Sequence, residues 1–143
     1  MNNKIKALIF DVDGVLINSR IKEERQGTYG VNEKLLETLK YFKNKNFKLY
    51  LATNQNQEGS HFIWEKLSFK ENFHEIFSSC YIGYKKPHKK FYIEVERKLR
   101  CKSDEVLFVD DREENVEAAR KQGWKAYHYK NKEDLKKDIL KNL

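Results

Sequence analysis

LIFDVDGVL, residues 8–16, decides how the chain is read. Its first three residues read as the end of a buried strand, and the chain then delivers Asp11 and Asp13 with Gly14 directly after. Carboxylates that close raise each other's pKa and repel unless a cation lies between them. The carboxyl end of an apolar strand is also where open α/β sheets place their ligands. Asp-x-Asp alone is unspecific, because 22 of the 143 residues are acidic and a strand-ending turn has the same composition. The decision rests on what the rest of the chain sets beside it.

Outward from that stretch, short β-like runs alternate with helical periods. Strands are expected at residues 5–10, 47–52, 78–82, 105–109 and 124–128. Leu35, Leu36, Leu39 and Phe42 recur at helical spacing between the first two, with Asn32 as a capping residue. Residues 59–67 and 71–77 read as two short helices. Phe91, Val95 and Leu99 mark a longer helix with Pro87 near its start. A helix over about 113–122 buries Val116 and Ala119 and stops at Gly123, and a last charged helix begins near Lys132. Strand and helix in unbroken alternation predict a three-layer, Rossmann-like α/β domain with a mainly parallel central sheet. The whole chain, 1–143, is expected to form that one domain.

Composition fits this. With 39% hydrophobic and 13% aromatic residues the chain can pack a core, which excludes a disordered protein. Its apolar runs are too short for a membrane span, and the N-terminal run ends in Asp11, unlike a signal peptide. Cys80 and Cys101 show no metal spacing, so thiols in a reducing cytoplasm are expected. The net charge of +7 attracts anionic substrates and nucleic acid alike, and no nucleic-acid motif accompanies it. His61, His74, His88 and His128 show no paired spacing, and Trp64 and Trp124 fit packing positions.

Four polar clusters close four of the expected strands: Asp11 and Asp13; Thr53-Asn54; Lys85 and Lys86 before Pro87; Asp110-Asp111. In a parallel sheet these ends share one edge. Carboxylates, a hydroxyl and a lysine together suit Mg²⁺-assisted phosphoryl transfer, since Mg²⁺ takes a few carboxylates and completes its shell with water and phosphate.

At this point the chain resembles the haloacid dehalogenase-like (HAD) hydrolase superfamily. The four motifs of that family stand in order as FDVDGVL, LATN, the lysine of YKKP, and FVDDREENVEAARKQGW. The DD form of the last motif, with Asn115 after it, looks most like the phosphatase-rich branch. The resemblance implies a Mg²⁺-dependent phosphomonoester phosphatase with an aspartyl-phosphate intermediate. By it, Asp11 is the nucleophile and Asp13 the acid that protonates the leaving oxygen and then deprotonates water. Thr53 and the amide of Asn54 bind phosphoryl oxygens. Lys86 neutralises charge, with Lys85 the neighbouring alternative. Asp111 ligates Mg²⁺ together with Asp11 and the backbone carbonyl of Asp13. Asp110 stands behind them, near Lys86 or a metal-bound water, with a helix N-cap as its alternative role. Asn115 either supports the site by a hydrogen bond or caps and faces solvent.

The sequence departs from capped relatives. Asp13 and Thr53 are 40 positions apart, and Thr53 and Lys86 are 33 apart. The expected helices and strands fill most of both gaps, so no cap domain is expected. The stretch 18–30, with Arg20, Lys22, Arg25 and Tyr29, is the candidate lid, and an oligomer is an alternative substitute for a cap. The expected substrate is a phosphorylated small molecule. Two other readings stay open: a phosphatase of nucleic-acid ends, because ATNQ resembles the second motif of capless polynucleotide and histidinol phosphatases, and a non-catalytic binding protein of this fold.

Overall fold

The computed structural model describes residues 4–17, 33–66, 69–130 and 134–143. The candidate lid and the capping role of Asn32 therefore lie outside the described residues. Five parallel strands form one sheet in the order β3-β2-β1-β4-β5. They are β1 (Ala7–Phe10), β2 (Lys48–Thr53), β3 (Glu75–Ser78), β4 (Val106–Asp110) and β5 (Lys125–His128). The helices are α1 (Glu33–Asn44), α2 (Gln57–His61), α3 (Ser79–Ile82), α4 (Lys89–Leu99), α5 (Glu113–Lys121) and α6 (Leu135–Asn142).

Strand alternation builds the three layers. Leu8 and Phe10 of β1 point to one face, where Leu35, Leu39 and Phe42 of α1 and Leu135 and Ile139 of α6 cover them. Ala7 and Ile9 point to the other, against Phe91, Tyr92 and Val95 of α4 and Val116 and Ala119 of α5. Every residue of β1 and β4 is buried, as expected for inner strands covered on both faces. Among the described residues no cap domain interrupts this layout. Among the described residues no helix is long and apolar enough to cross a membrane.

Two local expectations are corrected. Residues 71–77 are not a helix, and the third strand is Glu75–Ser78 rather than 78–82. Pairing with β2 decides both: the His74 amide donates to Leu49 O at 2.7 Å, its Nδ1 accepts from Leu49 N at 3.1 Å, and Ser78 lies opposite Thr53. Ile76 and Phe77 then pack on opposite faces of the sheet. Beyond Ser78 the chain turns into α3, which Gly83 closes at φ 90°. Smaller shifts occur at helix starts. The expected 59–67 helix begins at the Asn56 cap and passes through α2 into a π-helical turn over Phe62–Lys66. Pro87 precedes the α4 cap, His88, and the last helix begins after its cap, Asp134.

Candidate active site

β1 sits between β2 and β4 in parallel register, so three strands end together at the middle of the sheet. The Asp11 amide extends the ladder by donating to Val109 O at 2.9 Å, which sets Asp11 beside Asp110. Past Asp13 the chain curls back: the amides of Val15, Leu16 and Ile17 all donate to Val12 O. These strand ends and the loop carrying Lys86 line a cavity of about 490 Å³. Asp11, Asp13, Thr53, Asn54, Lys86 and Asp111 all border it.

Lys86 is the centre of the arrangement. Its side chain is 2% exposed, and Nζ donates to Asp11 Oδ1 at 2.9 Å, Asp110 Oδ2 at 2.8 Å and Ala52 O at 2.8 Å. Burial on its own would lower the ammonium's pKa, but Asp11 and Asp110 outweigh burial and hold it above its ordinary value. Lys85 is exposed, which separates the two lysines that the sequence left side by side. Asn54 sets the loop in place, its side chain accepting from Lys86 N at 2.9 Å and donating to Lys86 O at 3.0 Å.

Asp110 is fully buried and committed. Oδ2 accepts from Lys86 and from Asn115 Nδ2 at 3.1 Å, and Oδ1 accepts from Arg112 N at 2.9 Å. Asn115 is thus the supporting group, and Tyr92 Oη in turn donates to its carbonyl at 3.0 Å. The N-cap of α5 is Arg112, two residues beyond Asp110, so Asp110 does not take the alternative capping role.

Carboxylate oxygens of Asp11, Asp110 and Asp111 lie within 4.8 Å of one another. Because Asp110 already receives three donors, Asp11 and Asp111 are the carboxylates suited to a cation. Gly14 makes room for this cluster: at φ +86° it adopts a conformation that L side chains rarely take, and a Cβ there would stand 2.6 Å from Asp111 Cγ. His128, at the end of β5, contacts the Asp111 carbonyl through Nε2 at 2.9 Å, a bond that places the ring proton on that nitrogen. An all-oxygen carboxylate set fits Mg²⁺. Burial pushes the Asp11 carboxyl up to about 7, Asp110 and Asp111 push the same way, and Lys86 opposes them. A divalent cation reverses such a shift by favouring the charged form.

Thr53 closes β2, 1% exposed, and borders the same cavity. Asp13 borders it as well, and Gln55 Nε2 donates to Asp13 Oδ2 at 3.0 Å. Sequence reasoning missed three contributors: Gln55, His128 and the loop-setting side chain of Asn54. Only the Asn-Gln pair after Thr53 carried a local signal. Nothing in the chain near His128 points to a residue 17 positions away.

Residues 20–128 match the haloacid dehalogenase-like hydrolase family. A flavin mononucleotide hydrolase of Arabidopsis thaliana chloroplasts is 28% identical over 135 residues, covering 91% of this chain and 50% of that protein. A hydrolase from Streptococcus pneumoniae superposes with a TM-score of 0.80 at 14% identity, covering 96% of this chain and 99% of that one. A HAD family enzyme from Bacteroides thetaiotaomicron, solved with magnesium and inorganic phosphate, gives a TM-score of 0.69 at 20% identity, covering 92% and 97%. The chain belongs to the haloacid dehalogenase-like hydrolase family, and it spans about half the length of the curated relative from Arabidopsis.

Proposed function

We propose that the protein is a Mg²⁺-dependent phosphomonoester phosphatase that acts through an aspartyl-phosphate on Asp11, with the whole chain as one catalytic unit. The observation that carries the reading is Lys86, buried with its three donors spent on Asp11, Asp110 and a strand carbonyl beside a third aspartate, Asp111. A fixed cation against a buried carboxylate holds a nucleophile in place and offsets the charge of an incoming phosphate. Asp11, Asp111 and the carbonyl of Asp13 would hold Mg²⁺, which supplies charge neutralisation to the phosphoryl oxygens.

In the first half-reaction an Asp11 oxygen attacks phosphorus, the ester P–O bond breaks, and the Asp13 proton goes to the departing oxygen. In the second, water attacks phosphorus and gives a proton to Asp13, the bond to Asp11 breaks, and phosphate leaves. Thr53 and the Asn54 amide bind phosphoryl oxygens through both steps. The substrate is a phosphorylated small molecule, in keeping with a cavity of about 490 Å³. The Arabidopsis relative, named for flavin mononucleotide, supports that class.

Phosphate release from p-nitrophenyl phosphate tests the reading. EDTA is expected to remove activity and Mg²⁺ to restore it, and Asp11→Asn to abolish turnover while the circular dichroism spectrum is unchanged. Full activity in metal-free buffer, or in Asp11→Asn, would overturn it. A 3′-phosphorylated oligonucleotide tested beside a sugar phosphate at two salt concentrations separates a nucleic-acid substrate, whose binding weakens steeply with salt.

A further inference from the structure

Gln55 is held both at its backbone and at its side-chain amide. The Ser78 and Ser79 hydroxyls each donate to its carbonyl at 3.2 Å, and its amide donates to Ser79 Oγ at 3.0 Å. Ser78 is itself fixed at 2.6 Å from Ser60 Oγ on α2. Gly59 leaves space for the side-chain amide: a Cβ there would lie 3.2 Å from Gln55 Cδ and closer still to its Oε1. The amide so placed donates to Asp13 Oδ2. Gln55 also lines a second cavity of about 450 Å³, which adjoins the first at Asn54 and Lys85 and is bordered by Ser79, Cys80 and Tyr84.

We propose that Gln55 is a positioning residue that orients Asp13 toward an alcohol leaving group seated in this second cavity. The inference rests on the reading of Asp13 as the acid of the phosphatase reaction. A donor on Oδ2 fixes the rotation of the Asp13 carboxyl, and with it the direction in which the acid offers its proton. When the ester P–O bond breaks, that proton passes to the alcohol oxygen and Asp13 is left as carboxylate. The water of the second step returns it. Alkyl leaving groups need this proton, whereas p-nitrophenolate departs without it.

The experiment compares kcat/KM, which reports steps up to leaving-group departure, for glycerol 2-phosphate and p-nitrophenyl phosphate in the full chain with Mg²⁺. Gln55→Met keeps the side-chain length and removes the donor. It is expected to lower the alkyl value about 10- to 100-fold, less than the loss of the acid itself (about 10²–10⁴), and the aryl value no more than about three-fold. Gln55→Glu, which sets a carboxylate against Asp13, is expected to give the same ordering. Equal losses on both esters would make Gln55 structural, and no loss on the alkyl ester would also overturn the proposal. Asp13→Asn serves as the reference: if it shows no preference for losing the alkyl ester, the acid assignment fails and the inference falls with it.

Discussion

At the scale of single residues, the buried pair of Lys86 and Asp11 sets what the protein tolerates. Removing one member of a buried charge pair leaves the other without compensation, which costs about 3–5 kcal/mol. Lys86→Met is therefore expected to lower stability by that amount in urea unfolding, and to eliminate turnover as well. The Asp11 carboxyl gives a pH signature. Its pKa in the folded protein, about 7, exceeds the ordinary 3.8, so the cation-free folded state binds the extra proton between those values. Stability from this group is complete below about pH 4 and is lost as pH rises through about 7. In EDTA the melting temperature is expected to decline across that window, and Asp11→Asn to remove the decline. An unchanged slope in Asp11→Asn would place the titrating group elsewhere.

At the scale of elements, the turn after β1 carries the most constraint. Three amides converge on Val12 O, and Gly14 takes a positive φ against the Asp111 carboxylate. Gly14→Ala would strain that turn and push Asp111 aside, so the response to Mg²⁺ should fail before the fold does. The measurement is the Mg²⁺-induced shift in melting temperature, expected to shrink or vanish in Gly14→Ala while the far-ultraviolet spectrum stays native. A full shift would mean that Asp111 does not need the space. Element identity also shows how tertiary pairing overrides local preference. Residues 71–77 carry a charged and apolar mixture that reads as helical, yet β2 offers an open ladder to Glu75–Ser78. A strand edge of that kind satisfies backbone groups that a short isolated helix leaves to water.

At the scale of the whole molecule, the site is made by sheet order rather than by any one loop. Motifs at positions 11, 53, 86 and 110 meet because β2, β1 and β4 lie side by side and end together. Among the described residues, the sheet's carboxyl edge supplies the cavity walls. A cation bound only by the folded state stabilises it through mass action, by about 2.7 kcal/mol at one hundred times its dissociation constant. Mg²⁺ is thus expected to raise the melting temperature of the wild type by several degrees in a concentration-dependent way. Absence of any rise at millimolar Mg²⁺ would count against a site at Asp11 and Asp111.

Much of this was legible in the sequence because it depends on short-range pattern. The apolar runs around 8–10, 49–52 and 106–109 announce covered strands, and the polar residues that end them announce the edge where ligands bind. Once the sheet is parallel, Asp11, Asp13, Thr53, Lys86 and Asp111 must come near each other. Tertiary structure alone decided the rest. Lys86 and Lys85 are chemically identical neighbours; the family resemblance favoured Lys86, and packing shows that it enters the core to meet two carboxylates. His128 reaches Asp111 because β5 pairs with β4, and Gln55 reaches Asp13 because serines at the end of β3 hold its backbone. A hydrogen bond between residues distant in the chain leaves no periodicity to read, since its geometry exists only after the strands have been placed.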